Sequence, residues 1–320
     1  MLFLRAMQQL YPNIKPYNIH RVNVDDGHEL YVEESGDVDG IPVLVVHGGP
    51  GAGCHSDQRR FFDPSKYRII LFDQRGCGQS TPHGELDNNN TQALIEDIEC
   101  IRKTLDIKKL ILFGGSWGST LCLLYAQAYP NHVEAMMLRS ILLANQADYD
   151  WFFVNGANRI FPEAWKEFSS KVPKGEHERL IEVYNDMLND DNELNRMATA
   201  KAWSKWHRTC STLSPISNNS QQPSSLRLAR MECHYCVNKF FIEENQILKN
   251  MFPIRNIPGV IIHGRYDMIC TLSNAYELHE RWPRSDLEIV REAGHASSEI
   301  GLTDALIRAT DRYAKNLSIS

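Results

Sequence analysis

The chain has 320 residues, 34 Lys and Arg against 40 Asp and Glu for a net charge of −6, and is 42% hydrophobic and 23% charged. At roughly 150 residues per domain, that length holds one large domain or a core with a second module. The composition excludes a disordered, collagen-like or coiled-coil chain, and the charge gives no electrostatic preference for nucleic acid. No apolar run approaches the ~18 residues needed to cross a bilayer, and the segment from Met1 to Gln9 turns polar too early for a signal peptide. The expectation is a cytoplasmic protein that engages neither membrane nor nucleic acid.

Val43-Leu-Val-Val46, Ile69-Ile-Leu-Phe72, Leu110-Ile-Leu-Phe113, Met136-Met-Leu138 and Val260-Ile-Ile262 are short apolar runs bounded by turn formers, the pattern of buried parallel strands. Leu94, Ile98, Ile101 and Leu105 recur at helical spacing between two of them. Strands alternating with helices predict a mostly parallel α/β sheet. From Leu143 to Asn250 the strand-like runs vanish, and Trp151, Trp165, Trp203 and Trp206 gather in helix-capable sequence. This predicts a helical domain, 143–250, inserted into a domain made of 1–142 and 251–320. Ser211 to Ser225 reads as a turn-forming loop, and no internal repeat is present.

Gly114-Gly-Ser116-Trp-Gly118 follows the run ending at Phe113 and precedes the helix-capable Thr120-Leu-Cys-Leu-Leu-Tyr-Ala. That is the strand–turn–helix setting of a nucleophile elbow, in which flanking glycines keep Cβ atoms out of a sharp turn. A serine there implies an acyl-enzyme and an ester or amide substrate, whereas dehalogenases and epoxide hydrolases of similar architecture use a carboxylate. The hydroxyl needs a base and the base an orienting acid, in the chain order Ser, Asp, His. Asp267 follows the run Val260 to Ile262, and His295 follows Leu287-Glu-Ile-Val290; loops at strand ends are where sites of open α/β sheets gather. His263 and His279 compete as bases without comparable context. His47-Gly-Gly-Pro-Gly51 is similar to an oxyanion loop, with donors expected from the backbone of Gly49 and of Trp117, and with His47 structural. A phosphate loop is disfavoured because no Walker or dinucleotide spacing is present.

Together, His47-Gly-Gly-Pro-Gly51, Asp73-Gln-Arg-Gly-Cys-Gly-Gln-Ser80, Gly114-Gly-Ser-Trp-Gly-Ser119 and Gly264-Arg-Tyr-Asp267 resemble the prolyl aminopeptidases (proline iminopeptidases) of the α/β-hydrolase superfamily, from about Leu10 to Asp311. The resemblance implies an α/β-hydrolase fold with an inserted helical cap and a Ser116, Asp267, His295 triad. It also implies release of N-terminal proline from peptides with a free N-terminus, without cofactor or metal. Arg230-Met-Glu232-Cys-His-Tyr matches a family segment whose glutamate holds the substrate amine, which implies that role for Glu232. The chain departs from the family at His207, where a second glutamate is usual, and at Cys236, where an aromatic residue is usual.

An imidazole at 207 accepts a hydrogen bond when neutral and repels an ammonium when protonated. At its reference pKa of about 6.5, His207 would contribute to a loss of activity on acidification. At i+4 on a helix, Cys236 shares a face with Glu232, so a proline pocket that is wider or differently lined is expected. These departures leave a broader aminopeptidase or small-ester hydrolase as the second reading.

The cysteines at 54, 77, 100, 122, 210, 233, 236 and 270 are scattered rather than spaced as a disulfide framework and read as reduced thiols. Taken without the family, His207-x-x-Cys210 with Cys233-x-x-Cys236 also reads as a zinc pattern.

Overall fold

The computed structural model describes residues 7–213 and 226–317. Most of the serine-rich stretch, 214–225, lies outside the described residues. Strands β1 (Asn18–Asn23), β2 (Glu29–Gly36), β3 (Ile41–Val46), β4 (Tyr67–Phe72), β5 (Leu110–Ser116), β6 (Val133–Ile141), β7 (Gly259–Gly264) and β8 (Ser285–Val290) form one sheet in the order β1-β2-β4-β3-β5-β6-β7-β8. β1, β2 and β4 pair antiparallel, and every pair from β4 to β8 is parallel. The five apolar runs of the sequence lie in the parallel strands β3 to β7, whose inner residues are buried on both faces, while the parallel edge strand β8 is mostly half-buried.

β1 and β2 were not among those runs, for a physical reason. β2 carries Glu33 and Glu34 inside the fold, and neither reads as apolar. Arg59 binds Glu33 through Nε and Nη2 at 2.7 and 2.8 Å, and Arg68 and His20 meet Glu34 at 2.5 and 2.8 Å. Buried carboxylates persist in a strand when they are paired in this way.

Helices α1 (Thr91–Thr104) and α2 (Trp117–Ala128) lie among the first five parallel strands, and α10 (Leu272–Arg281) and α11 (Ile300–Leu317) flank β8. Asn90 caps α1 by accepting from the Ala93 N–H at 3.0 Å, and Leu94, Ile98 and Ile101 are buried on one helix face, as their spacing predicts. One face of the sheet packs through Leu44, Ile70, Leu112 and Met136 onto α1 and α2, and the other through Val45, Ile69, Ile111 and Ile262 onto α11.

Between β6 and β7 all described elements are helical: α3 (Gln146–Phe153), α4 (Ala157–Ile160), α5 (Pro162–Ser169), α6 (Leu180–Leu188), α7 (Glu193–Ser211), α8 (Leu226–Val237) and α9 (Gln246–Lys249). α3 to α8 build an aromatic core of their own, with Phe168 stacked on Tyr184 at 4.4 Å between ring centroids and Trp206 on Phe168 at 5.8 Å. The tryptophans that marked this stretch in the sequence are the material of that core.

The loop after β4 is pinned by a buried ion pair. Arg75 donates through Nε and Nη2 to the two oxygens of Asp97 on α1, both at 2.8 Å, and both side chains are almost wholly inside the protein. Asp97→Ala strands a buried guanidinium and is expected to cost about 3–5 kcal/mol of unfolding free energy. A urea titration checks this, and a loss under about 1 kcal/mol would show that the pair does not hold the loop.

Candidate active site

β5 ends at Ser116 and α2 begins at Trp117, so the chain reverses in a single step, and Ser116 carries that step with φ 57° and ψ −130°. A non-glycine residue there stores roughly 1–3 kcal/mol of strain, which the surrounding packing must sustain. A Cβ on Gly114 would lie 2.4 Å from Gly118 O, and one on Gly118 only 2.1 Å from Val46 O. The two glycines are therefore what lets β5, α2 and β3 approach closely enough to force the turn.

The loop after β3 runs beside the serine, and Gly48, Gly49 and Pro50 line the same cavity as Ser116. Gly49 has φ 111°. Trp117 opens α2, so its N–H is one of the donors that a helix start leaves without an intrahelical partner. His47 works inside the loop, as expected. Its Nδ1 lies 2.9 Å from Gly48 O, and its Nε2 accepts the Gln74 N–H at 3.0 Å.

Asp267 follows β7 and His295 follows β8. Asp267 Oδ1 accepts the N–H groups of Ile269 and Cys270 at 3.0 and 2.9 Å, and His295 Nδ1 lies 3.0 and 2.9 Å from its two oxygens. A carboxylate against Nδ1 places the proton on that nitrogen and leaves Nε2 basic. Burial alone would raise the Asp267 carboxyl, but the His295 imidazole, His263 and the Cys270 N–H together bring it down to about 2. It stays anionic wherever the protein is folded and active.

The backbone of His295 is gripped from two sides. Arg139 Nη1 and Ser140 Oγ donate to its carbonyl at 3.0 and 3.3 Å. On the other side, Ser211 O, at the end of α7, accepts the N–H groups of both His295 and Ala296 at 3.0 and 2.9 Å. Glu299 joins the same two segments, accepting the Leu213 N–H at 2.6 Å and the Gly294 N–H. Sequence reasoning passed over Arg139, Ser211 and Glu299, because each acts through a contact between distant parts of the chain and has no local signature.

Ser116 and His295 line a cavity of about 570 Å³, and so do Gly49, Glu232, His207 and Cys236. Glu232, on α8, accepts the Trp203 indole N–H at 2.5 Å. Burial pushes its carboxyl up to about 8, and the indole only partly offsets this. His207 Nε2 lies 3.7 Å from Glu232 Oε2 and is buried without a hydrogen-bond partner among the described residues. The imidazole stacks on Trp203 at 5.3 Å and meets the edge of Phe152 at 4.8 Å.

Burial of that ring, with His295 nearby, lowers its pKa to about 3. This corrects the expectation that His207 titrates near 6.5: it is neutral throughout the working range, so an acid limb there cannot be its own. Cys236 does share the cavity wall with Glu232.

The competing readings fall away on geometry. His263 accepts the Ile141 N–H at Nδ1 and bonds Cys270 O through Nε2, at 3.1 and 2.9 Å, which leaves neither nitrogen for catalysis. His279 bonds Ser285 and is not part of the cavity. Cys233 donates to Ile181 O, and among the described residues no three His, Cys, Asp or Glu side chains converge as metal ligands, so the zinc pattern is not assembled.

Residues 41–302 match the family model described as the alpha/beta hydrolase fold. A proline iminopeptidase of Xylella fastidiosa (strain Temecula1) is 45% identical over 312 residues, covering 96% of this chain and all of that protein. The chain belongs to the proline iminopeptidase family of α/β hydrolases. A proline iminopeptidase of Arabidopsis thaliana is 44% identical over 309 residues, covering 95% of this chain and 81% of its own. Among solved structures, an esterase from Exiguobacterium antarcticum aligns with TM-score 0.66 at 19% identity, covering 92% of this chain and 98% of its own. The proline iminopeptidase of Mycobacterium smegmatis aligns with TM-score 0.59 at 17% identity, covering 94% and 100%. At these identities the two structures speak for the fold.

Glu299 offers a test of the grip on His295. Glu299→Gln keeps one acceptor and turns the other towards an N–H as a donor, so it loosens the loop without opening a void. Near-attack placement errors of this kind cost about 10- to 100-fold. The loss is expected in kcat rather than KM in steady-state kinetics, and an unchanged kcat would show that the loop is held without Glu299.

Proposed function

We propose that this chain is a serine aminopeptidase that releases N-terminal proline from peptides through an acyl-enzyme. The observation that carries the reading is Glu232, a carboxylate buried in the same cavity as Ser116 and His295. A buried carboxylate is costly unless something pairs with it, and a substrate ammonium is such a partner. In this reading the helical insertion, 143–250, is a cap over a catalytic domain made of 1–142 and 251–320.

Ser116 Oγ attacks the carbonyl carbon of the first residue while His295 Nε2 takes its proton, and Asp267 holds the imidazolium that forms. The oxyanion accepts from the N–H groups of Gly49 and Trp117; loss of one such donor typically costs about 100- to 1000-fold in rate. His295 then returns the proton to the leaving amine, and water repeats the sequence on the acyl-enzyme. The secondary ammonium of an N-terminal proline carries two N–H donors, and Glu232 and the unpartnered His207 Nε2 are two acceptors for them. Specificity then depends on a free amine, with the pyrrolidine ring against Leu142, Tyr149, Phe152 and Cys236.

The decisive experiment compares a proline arylamide, its N-acetyl form, an alanine arylamide and a short-chain aryl ester, with Ser116→Ala as control. Turnover of the free proline substrate alone, lost on acetylation and in the variant, is the expected result. Indifference to acetylation, or turnover of the ester only, would replace this reading with a hydrolase of another substrate. The second reading, a broader aminopeptidase or ester hydrolase, draws on one feature: Cys236 leaves more room than a ring would, and strong turnover of the alanine substrate would favour it.

The pH dependence has a defined sign. Glu232 is protonated in the empty site below about 8 and must ionise to hold an ammonium, so binding expels a proton. KM for the proline substrate should therefore fall as pH rises towards 8, until the substrate amine itself deprotonates. Glu232→Gln should raise KM about 10- to 100-fold and flatten that trend, consistent with the ~1.5–3 kcal/mol of a charged hydrogen bond. A KM that is flat with pH in the native enzyme would remove Glu232 from amine binding. His207→Gln should leave the acid limb of kcat where it is, because the imidazole is already neutral there. A limb displaced towards acid in that variant would give His207 a titrating role.

A further inference from the structure

The cavity wall holds charged side chains at Arg139, Asp148, Arg208 and Glu232. Three of them are engaged. Arg139 donates to His295 O, Asp148 accepts the Leu143 N–H at 3.0 Å and the Asn274 amide at 2.5 Å, and Glu232 accepts from Trp203. The Arg208 side chain makes no hydrogen bond or ion pair with any described residue, its backbone being spent in α7. An arginine that lines a substrate cavity and has no counter-charge among the described residues is a site for an anionic group of the ligand.

Its place on α7 says which group. Ser204, His207, Arg208, Ser211 and Thr212 all line the cavity, and their spacing of three and four makes one helix face. On that face Arg208 adjoins His207, which faces Glu232 at the amine end. It also precedes Ser211, whose carbonyl holds the His295 loop, by three residues, about 4.5 Å along the axis. A dipeptide spans about 7 Å from end to end, so the amine and the carboxylate of one such molecule fall within the stretch of cavity that this face borders. The remaining wall near the oxyanion loop, at Ala52, Gly53, Gln58 and Ser298, carries no charge that would compete.

We propose that Arg208 binds the C-terminal carboxylate of the substrate, making short peptides with a free carboxylate, dipeptides above all, the preferred substrate class. The proposal rests on the aminopeptidase reading and adds the far end of the substrate to it. A longer peptide carries its carboxylate out of reach, and an amidated dipeptide offers a neutral group where the guanidinium waits.

The test is a ratio within one protein, so partial misfolding cancels. We compare kcat/KM for prolylglycine and for prolylglycinamide, with a proline arylamide as the measure of basal chemistry. The native enzyme is expected to favour the free acid about tenfold, the range of one charge-assisted hydrogen bond partly exposed to water. The ratio should fall to about one in Arg208→Gln, stay above one in Arg208→Lys, and shrink as salt screens the pair. A pentapeptide and its amide should give a ratio near one in every protein. A native ratio of one for the dipeptides, or a tenfold ratio that survives Arg208→Gln, overturns the proposal while arylamide turnover stands. Absence of arylamide turnover in the native enzyme overturns the aminopeptidase reading instead.

Discussion

The backbone of Ser116 is the constraint around which the rest of the site is arranged. A left-handed φ at a serine is unfavourable in isolation, and it persists because β5 and α2 are both fully committed to the core on either side of it. That commitment has a sequence cost at Gly114 and Gly118, where any side chain would run into backbone 2.1 to 2.4 Å away. With the turn fixed, Ser116 faces the carboxyl ends of the parallel strands. The same topology delivers the loop after β3, the loop after β7 and the loop after β8 to that edge. The proposed triad needs no fold of its own: Ser116 ends β5, Asp267 follows β7 and His295 follows β8.

Electrostatically the site holds two carboxylates under opposite regimes. Asp267 receives two backbone N–H groups and an imidazole, and the summed attraction outweighs burial. Glu232 receives one indole N–H, and burial wins. The difference in partners separates their roles. Asp267 is fully partnered by groups of the protein, whereas Glu232 has one donor only, and in the proposed reading a substrate ammonium is the partner it lacks. His207 fits this scheme as a neutral acceptor rather than a second charge, because its ring lies between Trp203 and Phe152.

The parallel half of the sheet was legible because strands buried on both faces are apolar runs, and the helical insertion because its aromatic residues have no strand pattern. β1 and β2 were not, since buried Glu33 and Glu34 break the apolar rule and are tolerated through pairing with Arg59, with Arg68 and His20 on the two neighbouring strands, and with the hydroxyls of Tyr31 and Tyr17. That Ser116, Asp267 and His295 lie at the ends of β5, β7 and β8 could be read from motif and chain order alone. The protonation of His207 could not, because its pKa depends on how deeply Trp203 and Phe152 enclose it. Glu299 and Ser211 were invisible for a related reason: a carbonyl or carboxylate that holds another segment's N–H leaves no trace in its own neighbourhood.

α7 joins the two halves of the proposed chemistry. Its cavity face presents His207 towards Glu232, and one turn later its terminal carbonyl at Ser211 fixes the backbone of His295 and Ala296. The proposed amine end of the cavity and the proposed general base are thus both tied to one rigid element, about 6 Å long between those two positions. A helix does not stretch over a single turn, so the spacing between the backbone that carries His207 and the carbonyl that holds the His295 backbone is set by covalent geometry. Side-chain placement alone would let that distance drift by an ångström, enough to weaken catalysis markedly. In the proposed chemistry, tying His207 and the His295 backbone to one helix links the amine end of the cavity to the proton-transfer end. An exopeptidase that counts one residue from the N-terminus requires that kind of link.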